Sequence, residues 1–162
     1  MHPTNFQQVI RRKRHNKAFT LTELMIVVAI IGLLAIIAIP NFIKVRKTAL
    51  HTAFANDIRI ACDAFVLRCA ETGKYPPDRT PGQMPAGMEP YLAKMKWTKD
   101  TPIGGRWDWD NGQFGFKAGV SVYMPDATAE EMREIDKKID DGDLGSGSFR
   151  SRSGGYISII EH

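Results

Sequence analysis

An apolar run of membrane length, broken by a single charged residue, most constrains what this chain can fold into. The run Phe19–Ile39 contains 21 residues, and Glu23 carries its only charge. As an α-helix it would extend about 31 Å, enough to cross the hydrocarbon core of a bilayer. A carboxylate inside such a helix is costly in lipid, so Glu23 requires an explanation.

The basic residues are concentrated before this run. Residues 1–18 carry five basic side chains and no acidic one, in a chain whose net charge is +4. The remaining residues therefore hold 17 basic and 18 acidic side chains. Positive residues beside a membrane segment favour a cytoplasmic location for that end. This pattern predicts a cytoplasmic N-terminus, an extracytoplasmic C-terminal part and no nucleic-acid partner.

The apolar run does not end like a cleaved secretory signal. Such a signal is followed by a cleavage site of small residues, whereas this run ends at Ile39-Pro40. We therefore expect the run to stay in the mature protein as a single-pass segment in contact with membrane lipid. The predicted organisation is a basic leader over 1–18, a transmembrane stalk over 19–40 and an extracytoplasmic globular domain over 41–162.

Helical periodicity continues beyond the apolar run. Two sets of apolar residues recur at helical spacing, one being Phe54, Ile58, Ala61 and Phe65, and the other Val45, Ala49, Ala53, Ile60, Ala64 and Leu67. Gly73 and the prolines after it stop the pattern. We predict one helix over about 19–72, amphipathic in its second half, with a kink or local melting at Pro40.

Short strands and a second helix are predicted after this helix. Thr128 and Glu131 form the pattern of a capping box, which predicts a helix over 129–140. Alternation predicts a hairpin whose Trp107 and Trp109 face the core. The predicted strands are 106–109, 113–116, 120–124 and 156–160, and a short helix is expected near 90–96. The expected fold class is α+β, a long N-terminal helix packed on a small antiparallel sheet.

No pattern of catalytic residues is present in the sequence. Cys62 and Cys69 are about 10.5 Å apart along one helix, too far for a disulfide, and are interpreted as packing residues. The four histidines are scattered and form no nucleophilic or metal-binding set. We therefore expect a protein that is not an enzyme.

The N-terminal segment resembles the class III signal peptides of the type IV pilin-like family, which includes the pseudopilins. The resemblance lies in Lys17-Ala18, in Phe19-Thr20-Leu21-Thr22-Glu23, in the apolar run and in Pro40. Ala18 departs from the glycine that the family prefers before the cut. The long helix, the Gly-Trp-rich segment and the Gly/Asp-rich C-terminal loop resemble the major pseudopilin of type II secretion systems.

The resemblance implies a processing step and a filament. A prepilin peptidase would cut between Ala18 and Phe19 and methylate the new amine of Phe19. Subunits would then pass from the inner membrane into a helical filament in the periplasm, with copies of this chain, an inner-membrane secretion platform and minor pseudopilins as partners. The expected function is a structural subunit of a type II secretion pseudopilus that supports protein export.

Two interpretations of Glu23 remain open. It can cap the helix locally, because Thr20 and Glu23 have capping-box spacing. By resemblance, it pairs instead with the free amine of Phe19 on a neighbouring subunit during assembly. Gly32 and Pro40 weaken the helical hydrogen bonding around them and are interpreted as assembly residues whose segment can unwind.

A calcium site is expected in the loop that begins at Asp140. The loop concentrates oxygen ligands on flexible backbone, and major pseudopilins hold calcium in a C-terminal loop. The expected ligands are Asp141, Asp143, the Leu144 carbonyl and Ser146. The alternative interpretation is a solvated loop after the helix.

Other functions are compatible with the same features. One alternative is a type IV pilus or DNA-uptake pilin subunit. Another is a single-pass anchored binding protein that does not polymerise and whose leader is not cleaved.

Overall fold

The computed structural model describes residues 19–162, which form two helices and one four-stranded sheet. The helices are α1, Leu21–Thr72, and α2, Ala129–Ile139. The strands are β1, Arg106–Asn111, β2, Ala118–Tyr123, β3, Phe149–Arg152, and β4, Gly155–Glu161. This is the predicted α+β, pilin-like fold. The predicted leader 1–18 lies outside the described residues.

Helix α1 contains 52 residues and belongs to two separate units of the chain. The first unit ends at Phe42, and the second, Ile43–His162, holds all other elements. All residues of α1 are helical, including those around Pro40, so the helix does not melt there. We call the segment from Leu21 to Phe42 the stalk and the second unit the head.

One face of α1 packs against the core of the head. Phe54, Ile58, Ala61 and Phe65 are buried, as the spacing predicts. Most of the other set of apolar positions is exposed, as at Val45, Ile60 and Leu67. The buried residues bring two aromatic rings to the sheet, whereas the exposed set lies on another side of the helix.

The four strands form one antiparallel sheet in the order β1-β2-β4-β3. The predicted strand 113–116 is instead part of the connection between β1 and β2. In that connection Phe114 has a φ of 52°, which is left-handed and incompatible with a strand. The predicted strand 120–124 is β2, and it pairs with β1 through partners such as Trp109 and Val120.

Stacked aromatic rings form the core between α1 and the sheet. Phe65 stacks on Trp109 with ring centroids 3.8 Å apart, and Phe54 stacks on Trp107 at 5.3 Å. Trp97 completes the group, 6.1 Å from Trp107. The prediction that the strand tryptophans face the core is confirmed.

The connection between α1 and β1 consists of turns, so the short helix expected near 90–96 is absent from this described segment. This connection is attached to the sheet by hydrogen bonds. Gly82 N–H donates to the Trp107 carbonyl at 2.7 Å, and Trp109 Nε1 donates to the Pro76 carbonyl at 2.9 Å. The connection therefore covers the outer edge of β1.

Helix α2 begins with the predicted capping box. The Thr128 hydroxyl accepts from Glu131 N–H at 3.3 Å, and the Glu131 carboxylate accepts from Thr128 N–H at 2.9 Å. Two contacts attach α2 to α1 within the head. Lys47 Nζ lies 2.6 Å from Glu131 Oε1, and Arg59 donates to the Lys138 carbonyl.

Candidate functional site

The stalk begins with a second capping box, built by Thr20 and Glu23. The Glu23 carboxylate accepts from Thr20 N–H and from the Thr20 hydroxyl, both at 2.8 Å. Glu23 N–H donates to the Thr20 hydroxyl at 3.2 Å. The local interpretation of Glu23 as a helix cap is therefore satisfied in the single chain. A role in assembly would have to use the same carboxylate in a second contact.

The stalk presents a continuous apolar surface. Each of its large apolar side chains, from Leu21 to Phe42, is exposed. A Cβ added at Gly32 would meet no atom within 4 Å, so no residue between 19 and 162 from outside the helix packs against that position. An exposed apolar surface of this extent indicates a membrane or protein partner. Among the described residues, α1 is the one helix long and apolar enough to cross a membrane.

The processing residues lie at the edge of the described chain. Ala18 is outside the described residues, and Phe19, the expected first mature residue, is exposed. Gly32 and Pro40, the other expected assembly residues, both lie within the helix.

A group of carboxylates lies at the C-terminal end of α2. Asp136, Asp140 and Asp141 each place one oxygen within 4.8 Å of the others. Asp136 is fully buried, and neither of its carboxylate oxygens has a hydrogen-bond partner. The Gly142 N–H lies near Asp136 without making a hydrogen bond of normal geometry. A buried carboxylate without partners is costly, and such a group usually indicates a proton, a water or an ion.

The electrostatics of this acidic cluster agree with its geometry. Burial, together with the neighbouring charges of Asp141 and Asp140, raises the pKa of Asp136 to about 6. The pKa of Asp141 is lowered, because the Asp143 N–H and the Ser146 hydroxyl donate to its carboxylate. The cluster therefore favours any species that adds positive charge beside Asp136.

Of the expected calcium ligands, the structure brings only Asp141 into this cluster. The other three make hydrogen bonds that shape the loop. Asp143 N–H and the Ser146 hydroxyl donate to Asp141 at 2.7 and 2.8 Å. The Leu144 carbonyl accepts from Ser151 N–H at 2.9 Å, which attaches the loop to β3.

Sequence reasoning missed Asp136 and Asp140. The available signal was their spacing of four residues, which would place both on one face of the helix predicted over 129–140. A second signal was their position, because carboxylates are unfavourable near the negative end of a helix dipole. Asp140 accepts from Ser148 N–H and Asp141 from Asp143 N–H, which leaves Asp136 as the member of the cluster without a donor.

The N-terminal motif and the fold together support a relationship to the type IV pilin-like family. Residues 13–39 match the family described as prokaryotic N-terminal methylation motif. That match covers Lys17-Ala18, Glu23 and the apolar run, and it ends one residue before Pro40.

Similar proteins are named as pilus and fimbrial subunits. The type IV major pilin protein PilA of Myxococcus xanthus is 70% identical over 68 residues, which are 42% of this chain and 31% of that protein. The type IV wide pilus major component PilA4 of Thermus thermophilus is 51% identical over 47 residues, 27% of this chain and 36% of that protein. The type IV major fimbrial protein FimA of Dichelobacter nodosus is 45% identical over 65 residues, 38% of this chain and 42% of that protein.

The matched segments cover about a third of these relatives. The matches thus span 31% to 42% of each relative's length. No solved structure matches this chain. The relatives are structural subunits by name and not enzymes, in agreement with the expected absence of catalysis.

Proposed function

We propose that this chain is the polymerising subunit of a filament of the type IV pilus class. The observation that carries the proposal is the stalk, whose large apolar side chains are exposed among the described residues and whose one charge is Glu23. A single-pass stalk in the inner membrane exposes this surface to lipid. Packing of many stalks in a filament would cover the same surface with protein.

Of the two kinds of filament, we infer a type IV pilus, because the three relatives are named as pilus or fimbrial subunits. The second candidate is the type II secretion pseudopilus expected from the sequence. It is favoured by the cysteines, because both lie in α1 and neither is in the C-terminal part, where many adhesive pilins carry a pair. Filaments sheared from the cell surface support the pilus, and loss of protein export on deletion of the gene supports the pseudopilus.

Processing between Ala18 and Phe19 by a prepilin peptidase is part of the proposal. It is tested by the intact mass and N-terminal sequence of the protein extracted from membranes. A chain that begins at methylated Phe19 is expected. A chain that still begins at Met1 would contradict the filament proposal and favour a static membrane anchor.

The assembly role of Glu23 can be separated from its capping role. Glu23→Gln keeps a capping-box residue at this position but removes the charge that would meet the Phe19 amine of a neighbouring copy. We expect this variant to be processed normally and to form no filaments. Thr20→Ala, which removes the cap and keeps the charge, is the matched control and should still assemble. The opposite pattern would limit Glu23 to capping.

We also propose that the acidic cluster binds a divalent cation, with calcium as the first candidate. Asp136, Asp140 and Asp141 would supply the carboxylate ligands, because calcium prefers oxygen ligands and Asp136 has two without partners. The cation would join the end of α2 to the loop that leads into β3. This retains the expected cofactor and changes most of its ligands.

The cation proposal is tested by thermal unfolding of the full chain in detergent micelles, with and without calcium chloride. Binding to the folded state should raise the unfolding temperature with increasing calcium concentration. Asp136→Asn and Asp140→Asn should abolish this response, whereas Asp63→Asn, an exposed position on α1, should keep it. An equal response in all four proteins would mean that calcium acts elsewhere.

A further inference from the structure

The head contains a cavity of about 680 Å³ that the proposed function does not use. It lies beside β1 and β2, on the side of the sheet that carries Asp108, because the neighbouring Trp107 and Trp109 face α1. Its volume is within the range of small-ligand sites. Side chains that line it include Asp100, Arg106, Asp108, Tyr123, Asp126 and Arg152.

The floor of this cavity is a buried ion pair. Arg152 Nη2 lies 2.7 Å from Asp108 Oδ2, and the two side chains are only 4% and 7% exposed. Arg152 Nε also donates to the Ser121 hydroxyl at 3.0 Å and lies 3.5 Å from Asp110 Oδ2. Two carboxylates therefore share one guanidinium, which leaves the floor with an excess of negative charge.

One acceptor at this floor has no donor. Asp108 Oδ1 is buried and makes no hydrogen bond. Burial, together with the neighbouring charge of Asp110, raises the pKa of Asp108 to about 6. A buried carboxylate that keeps one oxygen without a donor is destabilising, so a positive charge beside Asp108 would remove a cost that the free protein carries.

The rim of the cavity carries two further carboxylates and one guanidinium group. Asp100, Asp126 and Arg106 are exposed and form no ion pair among the described residues. Four carboxylates lie at and below the cavity, against two guanidinium groups. The carboxylates are those of Asp100, Asp108, Asp110 and Asp126, and the guanidinium groups are those of Arg106 and Arg152. The field in the cavity therefore favours a cation.

One wall of the cavity is apolar. Tyr123 and Met124 line it, and Met124 is exposed although its side chain is large and apolar. Met124 has a φ of 48°, a left-handed conformation that is unfavourable for this residue type. Gly105 packs close to the Met124 carbonyl and holds this turn in place. A short alkyl chain could lie against this wall while its charged end reaches the carboxylates.

We propose that this cavity binds an alkylammonium or alkylguanidinium group, the chemistry shared by a free diamine and by the end of a lysine or arginine side chain. The apolar wall at Tyr123 and Met124 takes the alkyl part. The carboxylates of the rim and the floor take the charge. The site is independent of the stalk and of the acidic cluster at α2.

The first test uses the full chain in detergent micelles at pH 7.5, with ¹³C-labelled methionine methyl groups and 1,5-diaminopentane as the probe. The Met124 signal, assigned with Met124→Leu, should shift and saturate as the diamine is added. Hexanoate, which has a similar alkyl chain and the opposite charge, should cause no shift. A shift with hexanoate and none with the diamine would overturn the proposal.

Exposed rim variants give the sign of the charge preference. Asp126→Asn and Asp100→Asn should each weaken diamine binding by about two- to fivefold, as expected for exposed charges. Arg106→Gln removes a positive charge from the same rim and should strengthen binding by a similar factor. Val66→Ala, an exposed change on α1, should leave the affinity unchanged. Equal affinities in all rim variants would contradict an electrostatic site.

Assembled filaments distinguish the two sources of the ligand group. If a basic side chain of a second copy occupies the cavity, filaments should not bind the diamine although free subunits do. If the group comes from a small molecule, filaments and free subunits should bind it equally. In both cases the cavity of the free subunit binds the diamine, as proposed. If the subunit does not polymerise, diamine binding can still be measured on free subunits.

Discussion

The stalk and the head use apolar residues in opposite ways, although one helix runs through both. Ile31 in the stalk is 59% exposed, whereas Ile58 in the head is 0% exposed. Within the head, α1 buries one stripe of apolar residues and carries charged residues on its other faces. Within the stalk, α1 is apolar on all sides. Burial inside a chain therefore follows from the pattern of apolar residues and not from their number. A uniformly apolar helix needs a solvent or a partner from outside.

The largest expected difference between the two regions is in how the loss of a large side chain changes the free energy of unfolding of the head. Phe65→Ala removes the ring that stacks on Trp109, and we expect it to lower the free energy of unfolding of the head by about 3–5 kcal/mol. Ile31→Ala in the stalk should change it by less than about 0.5 kcal/mol. Tryptophan fluorescence during urea unfolding in micelles reports the head alone, because all three tryptophans lie there. A large effect of Ile31→Ala on the unfolding of the head would contradict this difference between stalk and head.

The pH dependence of stability should also come from the head. The pKa of Asp108 and that of Asp136 are both raised to about 6, so the folded head holds more protons than the unfolded chain between about pH 4 and pH 6. Stability should therefore fall as the pH rises through this window and level off above it. For each group the loss is of order 1–3 kcal/mol.

This prediction is checked by urea midpoints at pH 5 and pH 7.5 in buffer without calcium. Asp108→Asn and Asp136→Asn should each flatten the dependence, and Val66→Ala should keep it. A head that is more stable at pH 7.5 than at pH 5 would mean that the two carboxylates are not held as described.

The two capping boxes provide a matched pair for the third prediction. Thr128→Ala removes the cap of α2 and should cost the head about 1 kcal/mol. Thr20→Ala removes the same contact from the start of the stalk and should leave unfolding of the head unchanged. Equal losses in the two variants would show that stalk and head unfold as one cooperative unit.

The smallest effect is expected from the ion pair between α1 and α2. Lys47→Met should cost less than about 1 kcal/mol, because the side chain of Lys47 is mostly exposed and its pair with Glu131 is screened by solvent. The difference from wild type should shrink further in 0.5 M sodium chloride. A loss as large as that of Thr128→Ala would assign this pair a structural role that its exposure does not explain.

Regular patterns allowed much of the fold to be predicted. The bounds of α1 and α2 were close, the capping box at Thr128 was correct, and Trp107 and Trp109 face the core. Each of these depends on residues that are near one another in the sequence. Strand β3 was not predicted, because Phe149–Arg152 has one buried apolar residue and obtains its pairing from β4.

The candidate sites divide in the same way. Glu23 was found because a charge inside an apolar run is visible in the sequence. Asp136 was not found, because its importance lies in full burial without a partner, which depends on how α2 packs. The cavity at Arg152 combines residues from four separate segments, and no local spacing relates Asp100 to Arg152.

The covered edges of the sheet also bear on aggregation. Gly82 donates to Trp107 on the outer edge of β1, and Leu144 accepts from Ser151 on the outer edge of β3. Exposed edges of this kind recruit further strands and lead to amyloid-like association. Because its own loops hydrogen-bond to both outer edges, the head offers fewer free backbone groups to such pairing. Mutations that free either loop should therefore appear first as insoluble protein and not as a defect in any one contact.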